Sequence, residues 1–134
     1  MNIIERAKKL NFPPGKYVIV ENGPLEALGI RQASDIDITV LPELYARLRA
    51  TGEWIEEERY GKIFLKKEKV DIIPQLSWSE YPTSTEEVVA GAMVIDGIYF
   101  MNLRELKKFK KALGREKDFS DIALIDEYLE KHNL

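Results

Sequence analysis

The chain has 134 residues, of which 32% are charged and 45% hydrophobic, and its formal net charge is −3 at pH 7. This length suffices for one domain with its own core, and we expect a single domain over residues 1–134. The absence of cysteine excludes disulfides and thiolate metal sites, and a lone histidine, His132, argues against zinc sites and a Ser-His-Asp triad. The acidic balance argues against an extended nucleic-acid surface.

The N-terminal segment Met1–Leu10 is charged and amphipathic, without the apolar core of a signal peptide. No apolar run approaches the length of a membrane span. We therefore expect a cytoplasmic protein with no membrane partner, whose chemistry depends on carboxylates, hydroxyls and amines.

In the first half of the chain, helical spacing of apolar residues and β-branched runs between Gly and Pro breakers predict alternating helices and strands. The predicted elements are a helix over Ile3–Leu10, a buried strand over Lys16–Val20, a short helix over Pro24–Leu28, a strand ending at Val40 and a helix over Leu41–Ala50.

The next part of the chain predicts antiparallel strands. Trp54–Glu56 and Lys62–Lys66 flank a turn, and Glu56–Glu58 is interpreted as a solvated face or turn. Lys69–Ile73 predicts a further strand, and the aromatic segment Gln75–Thr85 is expected to be irregular.

The C-terminal part predicts a hairpin over Met93–Phe100 around Asp-Gly, then two helices. In the first helix Leu103, Leu106 and Leu113 are expected to face inward, and its four lysines are interpreted as a solvated side: Lys107, Lys108, Lys110 and Lys111.

The last helix is expected to begin with Asp118 as its cap, with Asp121 in the first turn. Its inward-facing residues are predicted to be Phe119, Ile122, Ile125 and Leu129. This order of elements predicts an α/β (α+β) fold, in which helices pack against a mixed β-sheet.

The segment Ala33–Val40 carries the main candidate site. Strand alternation would place Asp35 and Asp37 on one face and the aliphatic side chains on the other. The two residues would lie roughly 6 to 7 Å apart at the backbone, where a cation between the carboxylates relieves their repulsion. Their oxygens suit Mg²⁺ or Mn²⁺. The alternative is an exposed polar face on an edge strand.

Three features in order, Glu21–Arg31, the Asp35-Ile36-Asp37 strand and Lys69–Ile73, resemble the DNA polymerase β-like nucleotidyltransferase superfamily, most closely its small stand-alone bacterial and archaeal members. Members of that family carry a strand, a Gly-Gly or Gly-Ser turn into a short helix, an Asp-x-Asp strand and a third Asp on a neighbouring strand. Asp71 corresponds to the third Asp, and Leu106–Tyr128 is similar to the family's C-terminal tail. The resemblance implies a nucleotidyltransferase-like mixed sheet with C-terminal helices.

By this resemblance, Asp35 and Asp37 would bind the metal ion that carries the triphosphate, and Asp71 with them would hold the ion that activates an acceptor hydroxyl. The implied cofactor is Mg²⁺ or Mn²⁺. Asp71 is also a candidate general base, although a carboxylate beside Lys69 at a strand end has an ordinary structural explanation. The implied activity transfers a nucleoside monophosphate from an NTP to a hydroxyl on a small molecule, protein or RNA.

The turn before the Asp pair departs from the family pattern. One alignment puts the family's Gly-Ser at Glu21 and Asn22, and the other puts it at Gly23 and Pro24. In the family this turn holds the β and γ phosphates through backbone N–H groups and a helix N-terminus. Glu21 adds a negative charge there and Pro24 lacks an N–H, whereas Asn22 can donate a hydrogen bond.

The remaining candidate nucleotide-binding residues are Ser34 and three cations that would counter phosphate charge: Arg31, Arg115 and Lys117. The alternatives are that Arg31 pairs with a carboxylate and that Lys117 is solvated. Two further functions are consistent with the sequence. The altered turn is typical of a nucleotidyltransferase-like binding or regulatory module without catalysis, and the chain also resembles the polymerase-like partner of a toxin–antitoxin pair.

Overall fold

The computed structural model describes residues 1–133, which form a seven-stranded mixed sheet and six helices. This confirms the predicted α+β class, including the C-terminal helices. No helix within those residues is both long and apolar enough to cross a membrane. The elements in chain order are α1 Ile3–Leu10, β1 Tyr17–Val20, α2 Asn22–Ala27, β2 Ile36–Val40, α3 Pro42–Ala50, β3 Ile55–Arg59, β4 Lys62–Lys67, β5 Val70–Ile73, α4 Thr85–Ala90, β6 Met93–Ile95, β7 Ile98–Phe100, α5 Leu103–Leu113 and α6 Glu116–Lys131.

The strand order across the sheet is β3-β4-β5-β2-β1-β7-β6. At its centre β2 runs parallel to β5 and antiparallel to β1, and β1 runs parallel to β7. The hairpins β3–β4 and β6–β7 extend the two edges with antiparallel pairs. The strand that carries Asp37 therefore lies beside the strand that carries Asp71.

Hydrophobic side chains fill both sides of this sheet. Strand alternation sends Tyr17 and Ile19 of β1 into one cluster and Val18 and Val20 into the other. The first cluster includes residues of α1 and α3, and the second includes residues of α4, α5 and α6. Since β1 is buried on both faces, its sequence is an unbroken β-branched and aromatic run.

Helix α2 packs directly on β1 because Gly23 permits a close approach. A Cβ at Gly23 would lie 2.3 Å from Cγ2 of Ile19. On the same helix, the Glu26 carboxylate accepts hydrogen bonds from the backbone N–H groups of Ile3 at 2.6 Å and Ala33 at 2.8 Å. These contacts hold α1, the β1–α2 turn and the segment that enters β2 in one arrangement.

Some predicted boundaries were wrong. Helix α2 begins at Asn22, two residues earlier than predicted. Helix α4 was not predicted; it follows the irregular segment, and the Ser84 side chain caps it by accepting a hydrogen bond from the Glu87 N–H at 3.1 Å. Glu56 and Glu58 are exposed, as the solvated-face interpretation expected, but they lie within the edge strand β3.

The last two helices differ most from prediction. Helix α6 begins at Glu116, so Asp118 is not its cap but lies inside the first turn, where its carboxylate accepts a hydrogen bond from the Arg115 N–H at 3.0 Å. Asp121 consequently lies in the second turn and is buried, whereas Phe119, predicted to face inward, is 60% exposed. Lys110, interpreted as part of the solvated side of α5, is only 1% exposed.

Candidate active site

Two of the three predicted catalytic carboxylates stand side by side. Asp37 on β2 and Asp71 on β5 are direct partners in the parallel register, so their side chains project from the same face of the sheet. Oδ2 of Asp71 lies 3.7 Å from Nη1 of Arg59. Oδ1 of Asp71 is buried and has no hydrogen-bond partner among residues 1–133. A buried oxygen of this kind is costly, and a bound cation or a donor from a ligand would satisfy it.

Asp37 has a strongly perturbed proton affinity. Burial is the main cause that raises its pKa to about 7. Neighbouring charges contribute to the shift: the carboxylates of Glu21, Asp71 and Asp35 raise the pKa and Arg59 lowers it. The negative charge around Asp37 therefore exceeds the positive charge, a situation that a bound cation relieves.

Asp35 lies just before β2 and is exposed. Within residues 1–133, no group of three or more Asp, Glu, His or Cys side chains is arranged to hold a metal ion. Magnesium is commonly bound by one or two protein carboxylates, with water and substrate phosphate oxygens as its other ligands. The Asp37–Asp71 pair, with its unpartnered oxygen, fits that mode.

Glu21 links β1 to α2 in a backbone conformation that glycine normally adopts. Its φ is 60° and its ψ is −123°, a region that is strained for a residue with a side chain. This geometry favours the alignment that puts the family's Gly-Ser turn at Glu21 and Asn22. Gly23 instead serves the packing of α2 on Ile19.

The Glu21 carboxylate is held by two cations. Lys110 Nζ donates to Glu21 Oε1 at 3.2 Å, and Arg115 Nη2 donates to Oε2 at 3.0 Å. Arg115 also binds Asp118, with Nε 2.7 Å from Oδ2. Burial raises the pKa of Asp118, but the hydrogen bonds from Arg115 hold it below its usual value. Arg115, predicted to counter phosphate charge, is already paired with two carboxylates of its own chain.

Lys110 is the buried centre of this ionic network. Besides Glu21, its Nζ lies 2.9 Å from Oδ2 of Asp121 and 3.6 Å from Oδ1 of Asp118. Arg31 pairs with the other oxygen of Asp121, which is the alternative considered for Arg31. Three carboxylates are thereby matched by three cations, and the β1–α2 turn is joined to α5 and α6.

A pocket of about 420 Å³ opens beside Asp37. Its charged lining comes from Glu21, Asp37, Arg59, Lys62 and Arg115. Most of the remaining lining is apolar, and its aromatic members are Tyr60, Phe64, Trp78 and Phe109. A volume of this size and an apolar wall with a few convergent charges are typical of small-molecule sites.

Lys62 supplies positive charge in the pocket without a carboxylate partner among the described residues. Its Nζ donates to the backbone carbonyls of Gln75 at 2.8 Å and Ser77 at 2.7 Å, and burial lowers its pKa. These bonds tie the irregular segment to β4. Trp78 of that segment lines the pocket, whereas Tyr81 is buried in the core.

The other predicted nucleotide-binding residues lie outside the pocket lining: Asn22, Gly23, Arg31, Ser34 and Lys117. Ser34 and Lys117 are exposed. Sequence reasoning missed Arg59, Lys62 and Lys110. The available signal for Lys110 was its spacing, because positions 103, 106, 110 and 113 share one helical face.

Comparisons with protein-family models, with curated proteins and with solved structures gave no match for this chain. Its function is therefore inferred from the site itself. That site combines two adjacent carboxylates, a strained turn held by cations, and an aromatic pocket with an uncompensated lysine.

The buried ionic network predicts a large effect for Lys110→Met. Loss of the ammonium leaves three carboxylates, two of them buried, with only Arg31 and Arg115 as cations, so we expect the free energy of unfolding to fall by about 3–5 kcal/mol. Lys111→Met, on the exposed side of the same helix, should change it by less than about 0.5 kcal/mol. Urea denaturation measures both variants, and equal effects would contradict the network.

The perturbed pKa of Asp37 predicts a pH-dependent stability. The folded protein keeps the Asp37 proton up to about pH 7, whereas the unfolded chain releases it near about pH 4. This group therefore lowers stability as the pH rises between those values. Relative to wild type, Asp37→Asn should gain about 3 kcal/mol of unfolding free energy between pH 5 and pH 8.

Urea denaturation in EDTA at both pH values measures this difference. Asp35→Asn, at an exposed position, is the matched control and should change by less than about 0.5 kcal/mol. A gain for Asp37→Asn that is the same at both pH values would show that Asp37 titrates normally.

Proposed function

We propose that this protein is a metal-dependent nucleotidyltransferase that moves a nucleoside monophosphate from an NTP to a hydroxyl acceptor. The observation that carries the proposal is the Asp37–Asp71 pair, in register on parallel strands, in which Asp71 has a buried unpartnered oxygen and Asp37 lines a pocket of nucleotide size. The resemblance of the Asp35-Ile36-Asp37 and Asp71 segments to polymerase β-like enzymes points to the same reaction.

In this proposal Asp37 and Asp71 would hold Mg²⁺ or Mn²⁺, and Asp35, which is exposed just before β2, would add a further carboxylate ligand. The ion would supply positive charge at the phosphate oxygens and activate the acceptor hydroxyl. Lys62 lines the same pocket and would add positive charge for the polyphosphate, whereas Arg59, also in the lining, is already paired with Glu57 at 2.7 Å and lies 3.7 Å from Asp71.

The chemical step forms a bond between the acceptor oxygen and the α-phosphorus and breaks the α–β phosphoanhydride bond, so pyrophosphate leaves. The hydroxyl proton needs an acceptor. The Asp71 carboxylate is the candidate acceptor, provided that the ion leaves one of its oxygens free and the acceptor comes within hydrogen-bond reach of it.

A second candidate function, a nucleotidyltransferase-like binding or regulatory module without catalysis, is favoured by Glu21. Its carboxylate takes up the charge of Lys110 and Arg115. If the turn cradled a triphosphate, a bare carboxylate about 5 Å from a phosphate charge would cost roughly 3 kcal/mol at an effective dielectric of about 20, which is about two decades of binding for each charge felt. The two ion pairs reduce this cost, but they also withhold Lys110 and Arg115 from the phosphates. We therefore expect weak NTP binding by the wild-type protein.

The enzyme proposal predicts that Mg²⁺ or Mn²⁺ raises the melting temperature, because the ion binds the folded state preferentially. Asp37→Asn should reduce this gain, and Lys111→Met should retain it. In parallel, α-labelled NTPs with either metal should leave label on the protein, on RNA or on a small hydroxyl acceptor. An equal metal response in wild type and Asp37→Asn, with no transferred label, would falsify the proposal.

The strained turn predicts a gain of function for Glu21→Gly/Asn22→Ser. This double variant removes the competing carboxylate and places at position 21 a glycine, which suits φ 60°. Lys110 and Arg115 each lose their hydrogen bond to Glu21 and can then donate to a phosphate. Calorimetry at one salt concentration should find magnesium-ATP bound at least about tenfold more tightly than by wild type.

Asn22→Ser alone is the matched control, since it keeps Glu21 and should bind like wild type. If the double variant binds no better while wild type already binds tightly, Glu21 does not compete with phosphate. If neither wild type nor the double variant binds any NTP, the enzyme proposal fails, because the reaction has no nucleotide donor.

A further inference from the structure

Tyr60 occupies the tip of the β3–β4 hairpin in an unfavourable backbone conformation. The two residues between the strands, Tyr60 and Gly61, have φ values of 54° and 73°. Positive φ at both positions is the type I′ arrangement, which strongly favours Asn-Gly. A bulky aromatic residue seldom adopts the left-handed region. The turn geometry therefore does not explain the choice of tyrosine.

Packing does not explain Tyr60 either. The residue is 91% exposed, and its nearest aromatic neighbour, Phe64, is in tilted contact with ring centroids 6.5 Å apart. A side chain so exposed buries little apolar surface and contributes little to the core. Yet it lines the pocket beside Asp37. An exposed aromatic face is therefore placed at the pocket in spite of its backbone cost.

The residues that flank Tyr60 in the pocket lining are Arg59 and Lys62. The Arg59 guanidinium lies 5.1 Å from the centroid of the Phe64 ring, which fixes the cation against this side of the hairpin. Arg59 is also paired with Glu57 at 2.7 Å, but Lys62 has no carboxylate partner among the described residues, so the tip presents an aromatic face next to positive charge. A planar base joined to a phosphate has the complementary chemistry.

We propose that Tyr60 stacks on the nucleobase of the nucleotide bound in this pocket and thereby positions it relative to Asp37. The inference rests on the proposed function for the identity of the ligand. The pocket holds about 420 Å³, which suits one nucleotide rather than a longer strand. Because every base has a π face, stacking of this kind tolerates different bases.

The test uses Tyr60→Asn and the matched control Tyr60→Phe, which keeps the ring. Adenosine without metal is titrated into wild type and both variants, and saturation-transfer NMR gives the dissociation constants. We expect Tyr60→Asn to bind adenosine at least about threefold more weakly, and Tyr60→Phe to stay below that threshold. The melting temperature of Tyr60→Asn should rise by about 3 °C, because Asn-Gly relieves the strained turn.

In Tyr60→Asn, the adenosine affinity falls while the melting temperature rises only if Tyr60 contacts the ligand. The inference is overturned if wild type does not bind adenosine, or if Tyr60→Asn binds it less than threefold more weakly. It is also overturned if Tyr60→Phe loses threefold in adenosine affinity, or if Tyr60→Asn melts at a lower temperature than wild type. Adenosine has no phosphate and needs no metal, so this result is independent of nucleotidyl transfer. Label transfer that survives in Tyr60→Asn with unchanged adenosine affinity would leave the proposed function standing without the stacking residue.

Discussion

The buried ion pairs of Lys110 join the β1–α2 turn, which borders the candidate site, to the two C-terminal helices. Buried on the inner face of α5, the ammonium contacts carboxylates from the β1–α2 turn and from α6, namely Glu21, Asp118 and Asp121. Each charge-assisted hydrogen bond contributes about 1.5–3 kcal/mol. Strain of the kind seen at Glu21 costs about 1–3 kcal/mol, so two cations on its carboxylate are sufficient to hold that turn.

Two charge clusters in this protein therefore have opposite character. The network around Lys110 pairs every carboxylate with a cation and has the arrangement that a buried structural ion cluster needs. Around Asp37 the carboxylates outnumber the cations, and one buried oxygen of Asp71 is unpartnered within residues 1–133. A buried carboxylate with a perturbed pKa, beside an unpartnered oxygen and a pocket, marks a functional-site candidate, which is why the Asp37–Asp71 pair, and not the larger network, is the candidate site.

The parts of the fold that could be predicted from the sequence are those set by local pattern. The run over β1, the hairpin at Asp96-Gly97 and the alternation along β2 each determine their own structure through β-branching, turn chemistry and period. The adjacency of Asp37 and Asp71 followed only from the family resemblance, because pairing between distant strands leaves no local trace.

The wrong predictions concern side chains whose environment is set by distant parts of the chain and not by local pattern. Lys110 and Phe119 were placed wrongly because polarity was used to assign their faces, whereas partners far along the chain determine them. An ammonium can be buried where three carboxylates meet it, and an aromatic ring can be exposed where the inner face of α6 is already filled by Asp121 and Ile125. The pocket cations Arg59 and Lys62 were missed for the same reason, since only the folded hairpin brings them near Asp37.

Backbone strain separates the site from the rest of the surface. Within residues 1–133, the non-glycine positions with positive φ are Asn11, Glu21, Tyr60, Glu68, Asp96 and Asn133. Asn and Asp tolerate this conformation, and Glu68 lies in the short β4–β5 turn. Glu21 and Tyr60 are the two that also line the pocket. They come from opposite sides of the sheet's centre, one next to β1 and one between β3 and β4. Two independent turns thus accept a conformational cost at the same cavity, and strain of this kind clusters at functional sites.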